Sequence, residues 1–164
     1  MSHSKIFQIG SKPIKEEDYA SPEEFYDNSQ DFADYIGDEL TGDDRRKCIK
    51  YLADRLKDLF TLDEKRNALV YKGEAAMQQF KETWAAAIRF AAREITEDNV
   101  LESSPRWKVR SICMETHLQS TYRVSIEEWN GYAGPLGDLI EWVAYSKFEA
   151  GKKLYIGAVI DYHY

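Results

Sequence analysis

Residues 74–95 read EAAMQQFKETWAAAIRFAAREI, a strongly periodic sequence. Its apolar side chains recur at steps of three and four, which places them on one face of a helix. That face consists of Met77, Phe80, Trp84, Ile88, Ala91 and Ile95. Such a helix would be about 33 Å long, enough to cross a small domain. Burial of its large side chains, Phe90 included, would contribute roughly 9–18 kcal/mol before entropy is deducted.

The flanking sequence predicts strands and further helices. Residues 60–62 and 68–71 favour a β-hairpin around a polar loop, although Thr61 could instead begin a helix. Alternating residues 121–127 and the apolar residues 154–164 also predict strands. Shorter helices are predicted at 30–40, after Thr41, at 106–117 and from Leu136 onwards. We therefore expect one α+β domain, with a mixed or antiparallel sheet of four to five strands packed by a long central helix.

Two local features add detail to this sheet. The apolar residues 6–9, ended by Gly10 and Pro13, predict an edge strand. Gly157 in the last strand indicates the close approach of a neighbour, which we assign to the alanine-rich side of the long helix.

Composition limits the classes of protein. The chain has 164 residues, 43% of them apolar, with eleven Tyr, seven Phe and four Trp, which favours a packed interior over disorder. It contains no apolar run long enough to span a bilayer and no visible signal peptide. Cys48 and Cys113 are predicted to be reduced core residues. We expect a cytoplasmic protein that needs no cofactor and does not act on membranes.

Charge is distributed unevenly along the chain. Residues 1–44 contain twelve acidic residues against three lysines, a net charge of −9, whereas residues 45–164 carry +2. We call residues 1–44 the acidic arm and the remainder the body. The arm also contains Tyr19, Phe25, Tyr26, Phe32 and Tyr35. Because so many aromatic side chains require burial, the arm is expected to pack on the body.

A basic cluster in the body offers the arm opposite charge. It consists of Arg106, Lys108, Arg110 and Arg123, with Trp107 among them. Direct nucleic-acid binding would use such residues, but a net charge of −7 disfavours it at long range. We therefore interpret the cluster as the receptor for the arm.

The arm predicts a non-catalytic protein that binds a basic partner. That partner could be a nucleic-acid-binding protein, inhibited by carboxylates that mimic phosphates, or a different basic protein. The predicted contact residues are Glu16, Glu17, Asp18, Tyr19, Glu23, Glu24, Asp27, Asp31, Asp34, Asp38, Trp129 and Tyr132. The two aromatic residues Trp129 and Tyr132 lie in a glycine-rich loop and would serve as anchors.

An enzymatic alternative rests on two His–carboxylate pairs. Glu115 precedes His117 by two residues, and Asp161 precedes His163 by two. On a strand, Asp161 and His163 would point the same way, about 7 Å apart. If both pairs met, they could bind a metal and support a metal-dependent hydrolase. No spacing typical of a known catalytic motif accompanies them, so the sequence favours a protein that is not an enzyme.

Overall fold

The computed structural model describes residues 2–29, 31–115, 120–127 and 131–164. Its strands are β1 (His3–Gly10), β2 (Tyr35–Glu39), β3 (Phe60–Asp63), β4 (Ala68–Tyr71), β5 (Arg123–Ile126), β6 (Gly134–Pro135) and β7 (Lys153–His163). Its α-helices are α1 (Gly42–Arg55), α2 (Glu74–Ala92), α3 (Ser103–Glu115) and α4 (Leu136–Ser146). Two 3₁₀ turns, Glu16–Asp18 and Pro22–Phe25, lie between β1 and β2. Among the described residues, no helix is both long and apolar enough to cross a membrane.

Strands β1 and β7 occupy the middle of one sheet. The strand order is β3-β4-β7-β1-β5-β6, and β2 pairs with the same side of β7 as β4. β1 is antiparallel to β7 and parallel to β5, so the prediction of an edge strand is wrong. The reason is that Ile6, Phe7 and Ile9 are fully buried, and together they cover both faces of the strand.

The predicted fold class is correct, but the sheet is larger than expected. The protein is a mixed α+β structure, and seven strands of the described residues form the sheet, in place of four to five. The hairpin is present as β3 and β4. The predicted helix at 30–40 is wrong, because residues 35–39 pair with β7. The separation into an arm and a body stays a prediction, although β1 and β2 both belong to the acidic arm.

Each face of the sheet carries its own core. On one face, β1 and β7 pack against apolar residues of α1, α2 and α4, such as Leu52, Met77 and Leu139. On the other face, Phe25 and Ile36 of the arm pack against Ile6 and Tyr162 of the central strands. Ser21 caps the second 3₁₀ turn, and its amide donates to Glu24 Oε1 at 2.8 Å.

Helix α2 begins at Glu74 as predicted, but its apolar face is only partly buried. Met77 and Phe80 belong to the core, whereas Trp84 is partly buried and Phe90 is 65% exposed. The prediction that Phe90 lies in the core is therefore wrong, and a central position of the helix is not confirmed. The last part of α2 packs against α3, in which no side chain from residues 103 to 114 is fully buried.

Gln8 in β1 connects the segment after the first 3₁₀ turn to strand β7. The β1–β7 register shifts between Phe7 and Ile9, and Gln8 Oε1 accepts hydrogen bonds from the amides of Ala158 at 2.9 Å and Ala20 at 3.0 Å. A Cβ at Gly157 would collide with this oxygen. The close neighbour of Gly157 is thus Gln8, and the assignment to the alanine side of α2 is wrong.

Candidate functional site

Antiparallel pairing of β1 with β7 brings two histidines together. His3 lies opposite His163 and Lys5 lies opposite Asp161. Alternate residues of a strand share a face, so all four side chains project from the same side of the sheet. The ring centroids of His3 and His163 are 3.9 Å apart. His3 Nδ1 lies 3.0 Å, and His163 Nε2 lies 3.4 Å, from the same oxygen, Asp161 Oδ2. We call His3, Asp161 and His163 the His–Asp–His cluster.

Lys5 pairs with the other carboxylate oxygen of Asp161. Lys5 Nζ forms an ion pair with Asp161 Oδ1. Burial alone would raise the pKa of Asp161, but hydrogen bonds from Lys5 and His3, with their charges, hold that pKa below the ordinary value. The Asp161 carboxylate is therefore ionised and oriented from both sides at neutral pH.

The surroundings of the cluster leave it open on one side. His3 has a side-chain exposure of 56%, whereas those of Asp161 and His163 are 18% and 20%. The ring of Tyr35 in β2 contacts that of His163 edge-on, at 5.5 Å between centroids. A Cβ at Gly37 would lie 3.4 Å from Asp161 Oδ2, so glycine keeps this flank clear. From α1, the partly buried Cys48 thiol has a pKa raised by burial; Lys5 opposes this shift and Asp161 adds to it.

The cluster relates only in part to the predicted metal ligands. Asp161 and His163 point the same way, as the two-residue spacing predicts. His117 and the side chain of Glu115 lie outside the described residues, so the meeting of the two pairs stays a prediction. His3 was not predicted as a ligand. The apolar residues that follow His3 were the only indication, because they are also compatible with a central strand. A central strand beside the last strand would have placed His3 near His163.

The acidic arm carries its charge on the surface. Eight exposed acidic residues have no described basic side chain within ion-pair distance, and we call them the acidic surface. They are Glu16, Asp18, Glu23, Glu24, Asp27, Asp31, Asp34 and Asp38. The predicted contact residue Glu17 is also exposed, but it lies 3.8 Å from Lys15 Nζ. A hydrogen bond from its own backbone, and a second from Ser21, lower the pKa of Glu23.

Aromatic side chains lie among these carboxylates. Tyr26, Tyr35 and Tyr132 are exposed. Tyr19 is partly buried, with the Arg45 guanidinium 5.3 Å from its ring centroid. Asn28 Nδ2 donates to the Gly131 carbonyl at 3.4 Å, which brings the glycine-rich loop against the arm. Trp129, the second predicted anchor, lies outside the described residues.

Of the predicted basic cluster, Arg123 contacts the arm, whereas Arg106 and Lys108 have partners elsewhere. Arg106 and Lys108 lie on α3, where Lys108 Nζ is 2.7 Å from Glu94 Oε1 and Arg106 donates to the Glu102 carbonyl. Arg123 lies in β5, with its guanidinium 4.7 Å from the ring centroid of Phe32 in the arm. For Arg106 and Lys108, the interpretation as a receptor for the arm is wrong, because their described polar partners, Glu94, Leu101 and Glu102, all belong to the segment between α2 and α3.

An open groove of about 510 Å³ separates α2 from α4. Phe80 and Ile140 form its apolar walls, and Lys81 and Asp138 contribute charge. Burial, followed by the charge of Glu141, raises the pKa of Asp138, while Arg123 opposes the shift. The groove has the size of a small-molecule site, but no convergent set of polar groups in it indicates a particular ligand.

The chain matches no known family model, no curated protein and no solved structure.

Proposed function

We propose that the protein is a small, non-catalytic, cytoplasmic protein that binds a basic protein partner through the acidic surface. The single observation that carries this proposal is the set of eight exposed carboxylates without a described cationic partner. Carboxylates concentrated on one segment repel one another, and a partner with matching Lys and Arg side chains would relieve that repulsion.

Rigid support for the acidic surface adds to the proposal. The first 3₁₀ turn and the residue before β2 are hydrogen-bonded to the central strands. Gln8 Nε2 donates to the Asp18 carbonyl at 3.1 Å, and the amide of Asp34 donates to the His163 carbonyl at 2.8 Å. A preorganised charged surface loses less conformational entropy on binding than a free tail. Exposed Tyr26 and Tyr35 provide the aromatic contacts that are enriched at the centres of interfaces.

Two kinds of basic partner fit this surface. If the partner binds nucleic acid, the spaced carboxylates occupy the positions of phosphates and the protein acts as an inhibitor. If the partner binds another ligand, the protein acts as an adaptor. DNA and RNA compete with the protein in the first case only, so a competition assay distinguishes the two.

Charge neutralisation with a matched control tests the proposal. One variant combines Asp27→Asn, Asp31→Asn, Asp34→Asn and Asp38→Asn. The control removes four exposed carboxylates of the body, by the changes Asp58→Asn, Glu97→Gln, Asp98→Asn and Glu102→Gln. Both variants change the net charge equally. Partner capture from the native cell is measured at low and high salt.

We expect the first variant to lose its partner and the control to retain it. High salt should weaken the wild-type complex, because exposed charges are screened over about 8–10 Å at physiological ionic strength. Equal capture by both variants would contradict the proposal, and equal loss would show that net charge alone matters. The metal-dependent hydrolase that uses Glu115, His117, Asp161 and His163 stays a prediction.

A further inference from the structure

We propose that the His–Asp–His cluster binds one divalent transition-metal ion, through a ring nitrogen of His3, a ring nitrogen of His163 and Oδ2 of Asp161. This site goes beyond the proposed function and does not depend on it. None of the three ligands belongs to the acidic surface, so cation binding and partner binding can be tested with separate variants.

The positions of the ligand atoms fit a single ion. One ligand atom from each of the three residues lies within 4.8 Å of the others. Zinc binds imidazole nitrogen and carboxylate oxygen at about 2.0–2.2 Å, so ligand atoms around one ion are separated by about 3–3.5 Å. Both imidazoles already approach Asp161 Oδ2 at 3.0 and 3.4 Å. These two distances agree with that range, and the exposure of His3 leaves its ring room to adjust around an ion.

The backbone holds these ligands in place. Beyond His3 and His163, the amide of Ser2 donates to the Tyr164 carbonyl at 3.1 Å, and the amide of Tyr164 donates to the Ser2 carbonyl at 3.0 Å. The strand pairing therefore continues on both sides of the cluster. On the other edge of β7, Tyr35 of β2 lies opposite His163. A site on paired strands positions its ligands more accurately than a site on loops.

The chemistry of the donors selects the class of metal. Two imidazoles and one carboxylate suit zinc, cobalt, nickel or iron, whereas magnesium and calcium prefer sites made of oxygen alone. Lys5 satisfies Asp161 Oδ1 and leaves Oδ2 directed at the histidines. In a metal site, such an outer partner orients the ligating carboxylate. The exposed side of His3 leaves further coordination positions for water.

The alternative is a purely structural cluster, in which the histidines only hydrogen-bond to Asp161. Titration of the full chain, without a histidine tag, with zinc alone distinguishes the two. We expect one zinc ion per chain, and with cobalt a visible absorption band that reports nitrogen and oxygen ligands. His3→Gln and His163→Gln should each weaken zinc binding by at least about tenfold.

The third histidine provides the matched control. His117→Gln removes one imidazole and no residue of the cluster, so zinc affinity should be unchanged. The exposed position of His3 makes His3→Gln the variant least expected to disturb folding, and circular dichroism verifies the fold of each variant. No saturable binding, a stoichiometry other than one, or the same loss with His117→Gln as with His3→Gln would overturn the proposal.

Discussion

The β1–β7 strand pair and the α2–α3 helix pair contain similar proportions of apolar residues but bury very different shares of them. In β1, Ile6 and Phe7 point to opposite faces and both are fully buried. In the α2–α3 helix pair, Phe90 and Trp107 are 65% and 66% exposed. A strand with neighbours at both edges buries its apolar side chains on both faces wherever other layers cover those faces. An amphipathic helix buries its apolar face only where another element covers it.

The largest effect is expected for a cavity in the central strands. Leu154 in β7 is fully buried and lies opposite Leu69 of β4. Leu154→Ala should lower the free energy of unfolding by about 2–5 kcal/mol, because it removes apolar contact and leaves a cavity. Urea denaturation measures the loss. A change below about 1 kcal/mol would mean that the middle of the sheet is loosely packed.

Trp84 lies between the two regions and should show an intermediate effect. It packs partly on the core, with its ring centroid 6.1 Å from that of Phe80. We expect Trp84→Ala to cost about 1–3 kcal/mol, less than a fully buried tryptophan would, because part of the ring faces solvent. The same denaturation experiment checks this. Removal of a fully buried ring costs about 3–5 kcal/mol. A loss of about 4 kcal/mol or more would therefore place Trp84 in the core.

Asp161 should contribute stability that depends on pH. Its lowered pKa means that the ionised form favours the folded state, fully so above the ordinary value of 3.8. At neutral pH, Asp161→Asn should cost about 1–3 kcal/mol through the lost charge-assisted hydrogen bonds. As pH falls from 3.8 through the lower pKa of the folded state, wild-type Asp161 becomes protonated and loses this advantage, so the difference between the two proteins should shrink. A difference that grows towards acid pH would contradict the assigned ion pair.

The smallest effects on stability are expected in the α2–α3 helix pair. Phe90→Ala and Trp107→Ala should each change the free energy of unfolding by less than about 0.5 kcal/mol, because both side chains already face water. Leu101→Ala, at a position that is 88% exposed, serves as the control. A loss of unfolding free energy above about 1–2 kcal/mol, the value for a half-buried residue, would show that another surface covers the α2–α3 helix pair in solution.

Local signals in the sequence predicted part of this structure. The β3–β4 hairpin, the start of α2 and the helix after Thr41 depend on neighbouring residues, and all three are present. The central place of β1 depends on pairing with β7 at the far end of the chain, which no local pattern specifies. The same holds for β2, whose Gly37 fits against Asp161.

The candidate site also has one part that local sequence predicts and another part that depends on pairing between distant segments. A two-residue spacing on one strand was enough to align Asp161 with His163. His3 joins them only because the register sets His3 opposite His163. Exposure of the arm carboxylates followed from their charge. The failed assignment of Lys108 as a receptor for the arm reflects a nearer partner, Glu94, on the segment that joins α2 to α3.

The pairing of β1 with β7 also determines when the protein can fold during its synthesis. Ile6 and Ile160 are partners, although about 150 residues separate them. Closing so long a loop carries a large entropic cost and slows folding. A nascent chain on the ribosome therefore lacks the antiparallel neighbour of β1 until β7 has been made, although its parallel neighbour β5 is synthesised earlier. Until then the edge of β1 that pairs with β7 stays unpaired, and unpaired strand edges with apolar side chains favour aggregation.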